Sequence, residues 1–154
     1  MKFSRIKVGR QGNFILGLFL IYFLFFGYIA NTFERAIGEE LLFLYQILFD
    51  VQTFWATIIL FGIMFFVALR ESFYEYAIRN SIWYIPGIII MSWFWYWIVF
   101  LEFDATVFFI YFIRIEGYLT ILSLLCINLL AAILASIVNE RRKLLRKIED
   151  LNQQ

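Results

Sequence analysis

A chain of 154 residues that is 64% hydrophobic and 22% aromatic carries more apolar surface than a soluble domain of that length can cover, since soluble domains are about half apolar. Its formal net charge of +1 offers no basic surplus for a nucleic-acid partner. It contains no histidine, which removes His-ligated haem, the commonest zinc and copper sites, and any nucleophile activated by an imidazole.

The composition is that of an integral membrane protein, and the length is that of one domain, residues 1–154. The single cysteine, Cys126, lies inside an apolar stretch and has no partner in the chain for a disulfide.

Residues 1–12 carry Lys2, Arg5, Lys7 and Arg10 and no acid. Residues 13–30 (NFILGLFLIYFLFFGYIA) follow. A basic start before an apolar run also describes a secretory signal. Here the run is long and rich in Phe and Tyr, and no small-x-small cleavage pattern follows it, so it reads as a retained first span.

Residues 31–40 (NTFERAIGEE) form an acidic connector, and residues 41–49 (LLFLYQILF) are apolar but too few to cross a bilayer. Asp50, Gln52 and Thr53 precede the apolar run 54–69. Two arrangements fit. In one, a second span covers about 51–69 and residues 41–49 lie in the interface. In the other, a single tilted helix covers 40–69, about 45 Å at ~1.5 Å per residue. Only Gly62 disfavours helix between Leu41 and Leu69, which favours the longer helix.

Residues 70–82 (RESFYEYAIRNSI) read as an interfacial amphipathic turn or short helix joining the second and third spans. Residues 83–101 form the third span. Pro86 and Gly87 sit one turn inside it, where proline is tolerated near a helix start or kinks the helix. Glu102 and Asp104 end the span.

Residues 105–150 contain no proline and read as one helix with three environments. Residues 105–113 are apolar and aromatic, and Arg114 and Glu116 interrupt them. Residues 117–138 are 22 uncharged residues, about 33 Å of helix, which matches a bilayer core. Residues 139–150 (NERRKLLRKIED) are dense in charge.

The expected fold is thus an all-α integral membrane protein. Four transmembrane helices at about 13–31, 48–69, 83–101 and 117–138 pack as an antiparallel bundle, and a long C-terminal helix extends into the cytoplasm as a basic tail, residues 139–154. Lys and Arg set the orientation: eleven lie in the N-terminal arm, the 70–82 segment and the tail, against Arg35 and Arg114 on the other side. This places both termini in the cytoplasm and the chain in a cell (inner or plasma) membrane.

Arg114 and Glu116 are a candidate intramembrane or interfacial charge site, because charge inside a bilayer is costly. At i and i+2 on one helix they face apart, so each is expected to seek a separate partner. The competing reading makes them the outer edge of the membrane, with the span starting at Gly117.

The acids Asp50, Glu102, Asp104 and Glu116 fall at outer span ends, where convergence would permit cation binding or proton relay, but no cation-loop spacing accompanies them. Trp93 and Trp95 lie nearer the middle of the third span than an interfacial belt requires. They suit packing, or a groove for an apolar cofactor.

The last span offers a candidate partner or helix-contact surface. Asn128, the one amide deep in the apolar run, is expected to bond a neighbouring helix. Gly117, Ala131, Ala132, Ala135 and Ser136 permit close approach. Apolar residues at Ile127, Leu130, Leu134, Ile137, Leu144, Ile148 and Leu151, with Arg141 filling one slot, repeat at alternating threes and fours, a coiled-coil seam that continues into water. The alternative for the tail is a basic anchor on anionic headgroups.

No nucleophile–base pair or metal-ligand spacing appears in the sequence, so an enzyme is not expected, nor a cofactor or metal. The expected function is a structural or accessory subunit of a larger membrane complex. Its partners would be the lipid bilayer and other subunits or copies of itself. The alternative is a small homo-oligomeric transporter or channel lined by Thr120, Ser123 and Asn128, with Glu116 at its mouth.

Overall fold

The computed structural model describes residues 2–33, 38, 40–71 and 73–152, and their side chains except at 2–10, 33, 147 and 150–152. Arg35 and the Leu151 side chain, which figure in the expectations above, lie outside the described part. Among the described residues every regular element is helical.

The first rod comprises α1 (Lys2–Leu20), a π-helical segment (Ile21–Phe26) and α2 (Gly27–Phe33). Both caps of the π segment, Leu20 and Gly27, keep right-handed helical angles, so the rod is continuous. The wider π turn re-aims the side chains that follow it. Ile21, Phe25 and Phe26 are all buried there, including two consecutive phenylalanines.

Five more helices follow among the described residues: the short α3 (Leu44–Phe49), α4 (Phe54–Leu69), α5 (Tyr74–Phe100), and α6 (Thr106–Ile113) leading to the long α7 (Ile115–Asn152). Among the described residues, three helical stretches are long and apolar enough to cross a membrane: Gln11–Thr32, Tyr74–Phe100 and Ile115–Arg146. α4 is apolar but has 16 residues, about 24 Å of helix. The protein is a membrane-embedded helical bundle.

α7 packs on α4 and α5, and the first rod packs on the same two helices. α5 runs parallel to the first rod: Tyr84 near its start reaches Asn13 and Phe14, and Trp95 further along reaches Tyr22 and Phe26. α7 runs against α5, because Asn128 meets Ser81 while the later Asn139 meets the earlier Glu71. The basic pole therefore holds the start of α5 and the latter half of α7. The opposite pole holds α3, α6 and the start of α7.

Residues 40–69 are not one helix. Asp50 takes an extended conformation (ψ 139°) and ends α3. The terminal carbonyls of a helix need partners. The Thr53 hydroxyl donates to the Ile47 carbonyl, and the Thr57 hydroxyl to the Leu48 carbonyl at 2.6 Å. With these bonds made, Leu41, Leu42, Leu44, Ile47 and Leu48 fold back and are buried in the core.

Residues 105–150 are not one helix either. Arg114 is extended (ψ 142°) and separates α6 from α7. Gly117 permits the fold-back: a Cβ there would collide with the Tyr111 carbonyl oxygen. The 70–82 connector is also shorter than expected, since α5 begins at Tyr74 and contains Pro86 in its interior.

Candidate functional site

The inner face of α7 is made of small and polar side chains. Thr120 is buried, and so are the adjacent pairs Ser123–Leu124, Ile127–Asn128, Ala131–Ala132 and Ala135–Ser136, which recur every four residues and include Leu124 and Ile127 as the larger side chains. Small residues let backbones approach closely in lipid, where no hydrophobic drive brings helices together. Ala132 and Ala135 pack against Ala68 of α4 and Ala77 of α5.

Asn128 is fully buried, and its Nδ2 donates to the Ser81 carbonyl of α5 at 3.1 Å. Its Oδ1 has no hydrogen-bond partner among the described residues. Asn128, Ala131 and Ala135 therefore form an internal helix-contact face within one copy.

The buried hydroxyls of α7 each donate to a carbonyl one turn back, and the Thr120 oxygen also accepts from the Tyr45 backbone N–H at 3.3 Å. Thr120 donates to the Glu116 carbonyl at 2.9 Å, Ser123 to Leu119 at 2.6 Å and Ser136 to Ala132 at 2.8 Å. Such back-bonding uses the hydroxyl proton within the helix.

The seam splits along its length. Ile127 is buried, whereas Leu130, Leu134 and Ile137 face outward in the apolar zone, toward lipid. Beyond the bundle, Leu144 is 62% exposed and Ile148 55% exposed, with Leu145 beside them. They share one stretch with the exposed Arg141, Arg142 and Arg146.

Arg114 and Glu116 contact each other, with Nη2 to Oε1 at 3.2 Å and side chains 42% and 24% exposed. The expectation of separate partners fails because Arg114 is extended, so the i, i+2 spacing is not helical. The Arg114 guanidinium also lies over the Phe43 ring at 4.8 Å. It ties the α3 corner to the α6–α7 break.

Asp50, Glu102, Asp104 and Glu116 lie at this pole, and among the described residues no group of acids is placed to hold a metal. The Asp104 carboxylate instead accepts from the Thr106 backbone N–H at 2.8 Å and from the Thr106 hydroxyl at 2.6 Å, in the turn that leads into α6. These bonds hold its carboxyl below the usual carboxylate range.

The two central tryptophans point to opposite sides of α5. Trp93 packs edge-on against Phe108 at 4.7 Å and Tyr111 at 5.5 Å, which fixes α6. Trp95 lies against Tyr22 at 5.4 Å and Phe26 at 6.5 Å, which fixes the π segment.

At the basic pole, Glu71 is buried: its carboxylate accepts from Asn80 Nδ2 at 3.1 Å and its backbone carbonyl from Asn139 Nδ2 at 3.0 Å. Tyr84 is also buried, with its hydroxyl donating to the Phe14 and Asn13 carbonyls at 3.2 and 3.3 Å. Nothing in the hydropathy pattern marks Glu71 as interior, because its neighbours Arg70, Ser72 and Glu75 read as a polar connector. No family model matches the chain, and no curated protein or solved structure is significantly similar to it.

Proposed function

We propose that the chain is a non-catalytic accessory subunit of a larger membrane complex. In this reading it crosses the bilayer four times, with both termini on the cytoplasmic side of a cell membrane. α4 completes the fourth crossing: it is short for a ~30 Å core, but the corner at α3 brings further apolar chain to its end.

One observation carries the proposal. α7 has 38 residues, about 57 Å of helix. Its last turns present Leu144, Leu145 and Ile148 to water, with no cover from the bundle. Exposed apolar residues on a helix rimmed with charge suit another helix laid along it.

The transporter reading has less support. Thr120 and Asn128 are fully buried within one copy, so an oligomeric pathway lined by them would require the bundle to open.

The test is gentle extraction of the untagged membrane in mild detergent, followed by sizing and identification of co-eluting chains. A stoichiometric companion subunit is expected, lost on Leu144→Glu with Ile148→Glu. Recovery as a monodisperse single species, with flux in liposomes of the pure protein, would sink the proposal in favour of transport.

A further inference from the structure

A groove of about 580 Å³ runs between the first rod and α5 at the basic pole, lined by Gln11, Phe14, Ile15, Arg79, Asn80 and Trp83. Its volume is that of a small-molecule site. Its polarity is graded along its length. On α1, Gln11 lies one turn before Ile15, and on α5, Arg79 lies one turn before Trp83. The two helices are parallel, so both place their polar residue toward the end of the bundle and their apolar residue deeper in the apolar zone.

The floor is fixed. Phe14 stacks on Tyr84 at 4.7 Å between centroids, and Tyr84 is anchored by its bonds to the Asn13 and Phe14 carbonyls. Gly17 continues that floor, because any Cβ at this position would overlap the Tyr84 ring. Trp83 is 62% exposed and stands along one wall. Arg79 is the formally charged residue of the lining, and its guanidinium rests over the Tyr76 ring at 4.9 Å.

A basic and amide-bearing mouth above an apolar trough matches one class of molecule in a membrane, and we infer that this groove binds an anionic phospholipid. Its phosphate sits at Arg79 and Gln11, and its acyl chains lie along Phe14, Ile15 and Trp83. Charge complementarity selects the headgroup: α1 also carries Lys2, Arg5, Lys7 and Arg10 in the turns before Gln11, which concentrates anionic lipid at this pole. The inference depends on membrane embedding and not on the accessory-subunit role, so either can fail alone.

The test uses the full chain in neutral detergent, with phosphatidylglycerol or phosphatidylcholine added and bound lipid counted by native mass spectrometry. Lys2, Arg5, Lys7 and Arg10 are first replaced by Gln, so that the arm contributes no attraction. The expected result is one saturable phosphatidylglycerol per chain, held in preference to phosphatidylcholine. Arg79→Gln should weaken it about fivefold, the scale of one basic contact to an anionic surface. Ile15→Trp, which fills the trough and keeps the charge, should weaken it as well.

Equal retention of the two lipids, non-saturating uptake, or full binding by either variant would overturn the inference. So would displacement by millimolar glycerol phosphate, which would mean that the headgroup alone is recognised.

Discussion

The Asn128 side-chain amide donates to the Ser81 backbone carbonyl at 3.1 Å, joining α7 to α5 at the centre of the bundle. The bond lies four residues before the Ala132–Ala135 contact with Ala68 and Ala77. A polar link and a close-packed alanine seam therefore fix the same pair of helices in register. Asn128→Ala should lose one interhelical hydrogen bond, about 0.6 kcal/mol in a membrane, plus a small cavity term. Thermal unfolding in detergent should show a fall of a few degrees. No change would mean that the alanine seam sets the register unaided.

Gly17 and Tyr84 form a second such pair across the first rod and α5. A Cβ at Gly17 meets the Tyr84 hydroxyl and ring, and that hydroxyl is held by two backbone carbonyls. Gly17→Ala should destabilise by about 1–3 kcal/mol, as overpacking does. Adding Tyr84→Leu should remove most of that cost, giving a non-additive double-mutant cycle. Strictly additive losses would show that the two residues do not share space.

Gly117 makes the equivalent contact within the chain, against the Tyr111 carbonyl. Backbone cannot swing aside as a side chain can. Gly117→Ala should therefore open the α6–α7 corner, with a loss at the upper end of about 1–3 kcal/mol. Hydrogen exchange should quicken in residues 106–113 more than in α5. Uniform exchange across the two helices would argue against a local corner.

These pairs explain what was and was not legible in the sequence. The helical membrane class followed from composition alone, and the small-residue face of α7 with Asn128 followed from spacing. The breaks at Asp50 and Arg114 did not, because no glycine or proline stands at either position. They are made by tertiary capture: Thr53 and Thr57 take the end of α3, and Arg114 lies over Phe43. Gly117, three residues beyond Arg114, was the local clue to the second break. The burial of Glu71 depends on Asn80, in the same connector, and on Asn139, which lies 68 residues further on in α7, where no short window links it to Glu71.

Asp104 gives a pH dependence to the same pole. Its carboxyl is held below the ordinary range by the Thr106 bonds. A lowered folded-state value means that the stability from these turn bonds is present above the unfolded value, ~3.9, and is lost as pH falls through the folded value. The protection of α6 amides, each rate taken relative to its intrinsic rate at that pH, should fall in acid below about pH 4. Asp104→Ala, which cannot accept from Thr106, should exchange faster at neutral pH and lose this acid dependence. An unchanged acid response in that variant would assign it to another group.

Leu144 and Ile148 decide between partner and lipid for the end of α7. They lie four residues apart on one face, exposed by 62% and 55%, and no contact in the bundle depends on them. Leu144→Glu with Ile148→Glu should therefore leave the stability of the isolated chain within about 0.5 kcal/mol, as surface changes usually do. Association through this face should be lost, because two carboxylates cannot be desolvated in an apolar seam. Replacing all five basic residues of the tail by Gln (Arg141, Arg142, Lys143, Arg146 and Lys147) reverses the logic: it keeps Leu144 and Ile148 and removes the attraction to anionic headgroups. Co-sedimentation with companion subunits and tail binding to anionic vesicles, measured for both variants, give opposite patterns for the two roles. Loss of partners in the glutamate variant alone supports a helical seam. Loss of vesicle binding in the glutamine variant alone, with partners unaffected by either, makes the tail a basic anchor and leaves Leu144 and Ile148 in the headgroup layer.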